Sequence, residues 1–484
     1  MDVLSLIATH LPSQKDNFRA SFVCRHWRRT FLHRAELWSH LFLSKGEVYV
    51  QTLLKRAKGS PLTILASGID PPSTTVLLPF YTNQIAGLEL TNSNWEDIRL
   101  FSRVVSTPLP LLHTLTINVV TDGSDAVTPL PYPLFSGAVG LKELRLHSVG
   151  SPRLSHFVFP NLTSFELSVA SPEGFRGSQL LDFLEALPML RTVHMKIIAV
   201  ISLEDIPQEK VVVLHNVESF FLVASNGVPS YKLAAHISCP SVKDTSLTYS
   251  YQKRHYLYPR REQFPPSDAL KAIIRQYTTS PIEEVTFEMD RNSDCFIACY
   301  LTFRSADTTV IRLNFETAEG NDDGDPDISE TFNLDVFCKA SGVIRSLPLP
   351  ANVKRLHIYD LLDIDKEAFT QIGNEFGRLL KSLGPLEELT ISGCEMEPFF
   401  LPFVHYPKIV GYPPIRVLTL IDPWYRFDEG VAMGLVNLAK AQHELGVPLE
   451  RVSTRLLDSD GIEEELKPWV GAVDYALYDF NGAG

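Results

Sequence analysis

The sequence predicts an α/β chain: a short helical head, then an irregular solenoid in which a curved parallel sheet carries helices on its convex side, interrupted by a β-rich insertion. Three observations carry this reading. The pattern L-x-x-L-x-L, or a loose version of it, recurs from Ile85 to Val452. Stretches with apolar residues at helical spacing fall between many of the copies and end at Gly or Pro. Residues 2–43 stand apart, with helical periodicity, two tryptophans and no copy of the motif.

The head opens with Val3, Leu4, Ile7 and Leu11 at helical spacing, until Pro12-Ser13 breaks the pattern. Asp16-Asn17 offers a new helix start, followed by Phe18, Phe22, Val23 and Trp27. A third piece carries Leu37, Trp38 and Leu41. Chains below roughly 40 residues rarely bury a sufficient core alone. Part of this apolar surface is therefore expected to face another protein. Residues 1–45 hold seven basic residues against three acidic ones, a local +4 in a chain of net −13, so a basic module is set before a body of −17. Such a module suits an acidic partner surface.

Leu11-Pro12, the run Val23-Cys24-Arg25-His26-Trp27-Arg28-Arg29 and Leu37-Trp38 together resemble the F-box, the adaptor-binding module of SCF-type ubiquitin ligases. The family usually opens with Leu-Pro and an acidic residue before its first helix; here Met1 and Asp2 occupy that place. The resemblance covers about the first 43 residues. It implies a Skp-type adaptor as partner and, through it, a cullin–RING ligase. The adaptor contact would fall on Val3, Leu4, Ile7, Leu11, Pro12, Val23, Cys24, Trp27, Leu37, Trp38 and Leu41.

After the head, Glu47–Lys58 places Val50, Leu53, Leu54 and Ala57 on one helical face, with Gly59 and Pro61 as the stop, and Leu62–Ala66 reads as a strand. The motif copies then run Ile85/Leu88/Leu90, Leu112/Leu115/Ile117, Leu141/Leu144/Leu146, Leu162/Phe165/Leu167, Leu190/Val193/Met195 and Val217/Phe220/Leu222. Weaker copies are Val242/Thr245/Leu247 and Ile282/Val285/Phe287. Val353/Leu356/Ile358, Leu386/Leu389/Ile391, Ile415/Leu418/Leu420 and Leu449/Val452 follow. From Ile85 to Val242 successive starts lie 21 to 29 residues apart, the period of leucine-rich repeats. On a strand the fourth and sixth positions share the inward face, and no single repeat buries that face alone.

The return segments are Asn94–Val105, Gln179–Leu187, Ser267–Tyr277, Glu367–Leu383 and Asp428–Leu445. Glu367–Leu383 is the clearest helix, with Phe369, Ile372, Phe376, Leu379, Leu380 and Leu383 on one face. Proline sits just before many copies, at 110, 160, 188, 240, 281, 385 and 414. Degenerate repeats of this kind resemble those that follow an F-box in large fungal families. A set of ordinary α/β units in a conventional sheet is the alternative. The 71-residue gap between Ile282 and Val353 holds Phe296–Phe303, Thr308–Phe315 and Thr331–Phe337, which alternate like strands, and an acidic loop at Asn321–Asp327. The expected division is 1–45 for the head and 46–484 for the repeats, with the insertion at about 288–345 and a terminal cap at about 456–484 (helix Glu463–Trp469, strand Val473–Phe480).

A net charge of −13 disfavours a nucleic-acid binder. Six scattered cysteines form no C-x-x-C pair, which points to a reducing compartment, cytoplasmic and/or nuclear. No apolar run reaches 18 residues and no secretory leader pattern is seen, so no membrane partner is expected and the sequon at Asn161 reads as idle. Phosphate loops, G-x-S-x-G and H-E-x-x-H are absent. Asp323, Asp325 and Asp327 begin like a calcium loop that fails at Ile328 and Leu334. Cys295 and Cys299 read as buried residues rather than ligands. No enzyme, cofactor or metal is expected. The outward strand positions, among them Arg145, His147, His194, Lys196, Arg355, His357 and Tyr359, are the expected contacts for a protein target. The function expected from these observations is a substrate-recruiting subunit of a cullin–RING ligase. A scaffold that directs no ubiquitination is the alternative, and an enzyme with a site in the insertion a more distant one.

Overall fold

A computed structural model describes residues 14–67, 78–93, 98, 108–119, 138–149, 159–169, 175–197, 201–202, 206–207, 209–225, 230–252, 273–274, 276–277, 280–292, 296–306, 309–318, 337–338, 340–345, 352–359, 366–392, 396–404, 411–421, 429–454 and 460–475. The chain divides into two compact units, Met1–Phe220 and Phe221–Gly484. Both are mixed α/β, with largely parallel strands.

The described part of the first unit opens with α1 (Gln14–Ala20), α2 (Arg25–His33) and a 3-10 turn at Ala35–Trp38. The short strand β1 (His40–Phe42) and α3 (Glu47–Ala57) follow. Helix α3 buries Val50, Leu53, Leu54 and Ala57, the face read from the sequence. It ends on two successive left-handed residues, Lys58 (φ 48°) and Gly59 (φ 85°). Gly59 adopts that conformation without steric cost. The strands are β2 (Leu62–Ser67), β3 (Ile85–Ser93), β4 (Thr114–Val119), β5 (Glu143–Val149), β6 (Ser164–Val169), the two-residue β7 (Phe175–Arg176) and β8 (Thr192–Ile197). β9 (Ile201–Ser202) pairs with β7, and α4 (Gly177–Glu185) precedes β8.

β1 through β6 and then β8 each pair in parallel with the next. Their register stacks like positions of the motif. Leu88, Leu115, Leu144, Phe165 and Val193 form one buried row; Leu90, Ile117, Leu146, Leu167 and Met195 form a second. Before β4, β5, β6 and β8 the chain makes a tight turn, in which the amide of the first motif residue donates to the carbonyl three residues back. Leu112 bonds Leu109, Leu141 bonds Ala138, Leu162 bonds Phe159 and Leu190 bonds Leu187. Those upstream residues are buried too. Pro110, Pro160 and Pro188 take the second turn position, where a fixed φ near −65° is preferred. Side-chain amides tie neighbouring turns together: Asn161 donates to the Val139 carbonyl and Asn216 to that of Pro188, each at 2.9 Å.

β10 (Val212–Val213) precedes β11 (Ser219–Ser225), which spans the division between the units. The second unit then runs α5 (Ser230–Ala235), β12 (Ile237–Ser238), β13 (Asp244–Gln252), β14 (Ile282–Asn292), β15 (Phe296–Ser305) and β16 (Val310–Ala318). From β17 (Arg355–Tyr359), helix and strand alternate: α6 (Lys366–Ser382), β18 (Leu386–Ser392), α7 (Glu397–Val404), β19 (Ile415–Ile421), α8 (Glu429–Glu444), β20 (Leu449–Thr454), α9 (Asp460–Leu466) and β21 (Val470–Tyr475). β14 pairs in parallel with β17, and each strand from β17 to β21 with the next. The row Val285, Leu356, Leu389, Leu418, Val452 is buried throughout. An edge-to-face aromatic chain, Phe287–Phe337–Phe399–Phe376, leads from that side of the sheet into the helical layer. The insertion is a pair of hairpins: β15 runs antiparallel to both β14 and β16, and β16 pairs in parallel with β13.

Several expectations change. Phe337 lies in a helical stretch with residues 338 and 340–345, not at the end of a strand; residues 331–336 lie outside the described residues. Phe337, Ala340, Val343 and Ile344 are all buried, a helical spacing. Leu445 is exposed, because it follows the last residue of α8 and Gly446 (φ 77°) turns the chain away. The terminal helix and strand begin three residues earlier than expected. The helix expected at 94–105 lies outside the described residues except for Ile98, which is helical and buried. Of Ser267–Tyr277, residues 273, 274, 276 and 277 are described and helical. Cys295 and residues 321–327 also lie outside.

Candidate functional site

The head divides its apolar residues between its own core and solvent. Trp38 is wholly buried. Its indole Nε1–H donates to the Phe31 carbonyl (3.0 Å), its face receives the Arg56 guanidinium (4.7 Å) and Phe18 meets it edge-on (4.9 Å). Leu37 and Leu41 are buried beside it. These three, read from the sequence as partner contacts, thus lie inside the chain. A tryptophan this large is the natural core residue for a module of short helices, and its one polar atom finds an acceptor there. Trp27 is half-buried and stacks on Phe31 (5.8 Å, interplanar 6°).

What faces solvent is the turn between α1 and α2. Phe22 and Val23 are 70% and 65% exposed, and Cys24 is exposed after them. The Arg28 guanidinium covers one side of the Phe22 ring (5.4 Å), while its Nε–H donates to the Ser21 carbonyl (3.3 Å). Arg19, Arg25 and Arg29 are exposed nearby in sequence. An apolar tip within a cationic surround therefore projects from the head. Phe22 was not among the expected contacts; its place beside Val23 in a polar turn was the signal. Val3, Leu4, Ile7, Leu11 and Pro12 lie outside the described residues.

On the first unit's sheet, register brings three of the expected target contacts around a residue not singled out, Glu166. Arg145 pairs with Glu143 (2.5 Å) and reaches Glu166 (3.6 Å); His147 Nε2 lies 3.9 Å and His194 Nδ1 3.7 Å from the same Glu166 carboxylate. Glu166 stands between Arg145 and His194 because β6 lies between β5 and β8. Lys196 sits one outward position further along β8, opposite Ser168.

On the second unit's sheet, Arg355 Nε donates to Glu284 (3.0 Å), which Arg304 also approaches (3.4 Å). His357 and Tyr359 stack with rings nearly parallel (6.1 Å, 10°). His357 lies between Thr286 and Thr390 in register, and its Nδ1 is buried without a hydrogen-bond partner. Burial holds its pKa below the ordinary histidine value; Glu388 and Glu284 oppose that shift, and Arg355 and Arg304 reinforce it. Each unit thus presents a mixed, ion-paired face rather than a patch of one sign.

Burial pushes the Cys239 thiol up to about 12 and raises that of Cys299 further, which leaves both as un-ionised core residues. Among the described residues no group of three or more His, Cys, Asp or Glu is placed to hold a metal ion, and no helix is long and apolar enough to cross a membrane.

The fold and the head together define a mixed α/β protein with a large, mostly parallel sheet content and a short helical segment at the front. Residues 1–44 match the family model described as F-box-like, so the chain carries an F-box-like domain there. No curated protein matches the chain.

Proposed function

We propose that this protein is the substrate-recruiting subunit of an SCF-type cullin–RING ubiquitin ligase. The F-box-like match over residues 1–44 is the observation that carries the reading. The head docks a Skp-type adaptor through the exposed Phe22–Val23 tip and its cationic surround, and Trp27, Leu37, Trp38 and Leu41 hold that tip in place from inside. The body is a degenerate leucine-rich-repeat solenoid; the buried rows and the recurring turns described above support it. A protein target binds its outward strand positions, among them Arg145, His147, His194, Lys196, Arg355, His357 and Tyr359. The protein makes and breaks no bonds itself. It raises the effective concentration of a target beside the ligase, in the cytoplasm, the nucleus or both.

The test is co-expression with a Skp-type adaptor and gel filtration of the complex. Phe22→Glu and Val23→Asp alter exposed side chains only, so the variants stay folded and lose co-elution, an effect of about 2 kcal/mol or more for a central interface anchor. Trp38→Ala loses co-elution together with the folded head. Adaptor binding by both tip variants at wild-type strength would move the contact elsewhere. A complex that captures cullin yet yields no ubiquitinated client would favour the scaffold reading.

A further inference from the structure

On the helical layer of the second unit, α6 and the helical residues 337, 338 and 340–345 border an open pocket of about 460 Å3. Arg345, Arg378, Glu375, Thr370, Gln371 and Asn374 line it. The volume is within the range of small-molecule sites. Glu375 is its anchor. The side chain is only 8% exposed and accepts from Ser341 Oγ (3.1 Å), Arg345 Nη2 (2.5 Å) and Arg378 Nη1 (3.2 Å). One carboxylate facing two guanidiniums leaves a surplus of one positive charge. Arg345 also has a buried Nε–H with no acceptor. A guanidinium carries five donors in a planar fork, and Glu375 takes only part of the two sets present. A buried donor without an acceptor is costly to leave so.

We propose that this cavity binds a small molecule through an oxyanion, a carboxylate or phosphate group, seated between Arg345 and Arg378. Glu375 pre-orients both guanidiniums, so their remaining N–H groups are fixed before the ligand arrives. Thr370, Gln371 and Asn374 supply neutral hydrogen-bonding groups around it. The surplus positive charge matches a singly charged group. The site lies among the helices, apart from the strand face assigned to a protein target, and it stands whether or not the ligase reading does.

The experiment is calorimetric titration of the full chain with inorganic phosphate and, separately, with succinate, at constant ionic strength. Saturable binding of either is expected. Phosphate alone marks a phosphate-bearing ligand, succinate alone a carboxylate. Asn374→Asp places a like charge in the cavity and removes no internal hydrogen bond, and Arg378→Gln changes a side chain that is 67% exposed. Both should retain the wild-type melting temperature closely and weaken binding about tenfold or more. No saturable binding of either anion at about 10 mM, or wild-type binding by both variants, would overturn the proposal.

Discussion

His357 is an imidazole held neutral by its surroundings, and that has a cost in acid. Its folded pKa lies below the ordinary value of 6.5, mainly because burial disfavours the charged ring. As pH falls below about 6.5 the unfolded chain takes up this proton before the folded one does, so stability declines until the folded pKa is passed and then levels off. Above that window the contribution is complete. Replacing His357 with Gln should remove this part of the acid sensitivity. Denaturation at about pH 8 and about pH 5 checks it: the wild type should lose more between the two than the variant. Equal losses would mean that His357 does not titrate between folded and unfolded states. Residues differ in how far the sequence reveals them. The spacing of Trp27 and Trp38 announces a helical module, but periodicity names a face without saying whether the chain or a partner covers it. The outward position of Arg145 was readable, whereas the convergence of Arg145, His147 and His194 on Glu166 needed the register of three strands.

Among the elements, the three helices α6, α7 and α8 pack closely because glycines permit it. A Cβ on Gly373 would lie 2.7 Å from the Pro398 carbonyl oxygen, and one on Gly434 2.9 Å from that of Phe400. Both obstacles are backbone, which cannot swing aside. Alanine is the better helix former by about 1 kcal/mol, yet overpacking of this kind costs about 1–3 kcal/mol. Gly373→Ala should therefore lower the melting temperature, while Gly430→Ala, whose Cβ meets nothing within 4 Å, should hold or raise it. A stabilised Gly373→Ala protein would show that the helices can part without loss. The amphipathic face of α6 was legible: Phe369, Ile372, Phe376, Leu379 and Leu380 are buried on the helix, and Leu383 is buried one residue past its end. The helical residues 337, 338 and 340–345 were not, since Phe337 also closes an alternating run that reads as a strand.

At the scale of the whole chain, the motif copies from Ile85 to Val452 are buried at every position that defines them. The same rows set where stability resides. Leu144 is fully buried between Leu115 and Phe165, so Leu144→Ala should cost about 2–5 kcal/mol by urea denaturation. Arg145→Ala, one residue on and facing out, should cost under about 1 kcal/mol, since its ion pairs are solvent-screened. Comparable costs would mean that the outward ion pairs, not the apolar rows, hold the sheet. The strand order in the insertion was beyond the sequence. β13 pairs with β16 and not with β14, because the hairpins place β15 and β16 between them. Alternation shows that a segment is a strand; it carries no information on which distant strand becomes its neighbour.

The junction behind the head has a mechanical meaning. β1 follows directly on the turn that carries Trp38, and it is also the first strand of the sheet, in register with β2 from His40–Thr63 to Phe42–Leu65. Arg56, from α3, closes over the Trp38 ring. The head is therefore welded to the first unit rather than tethered to it. Whatever grips its tip acquires a fixed bearing on the first unit's sheet, and the reach from one to the other is set as in a rigid bracket, by angle and span, with no slack for a linker to supply.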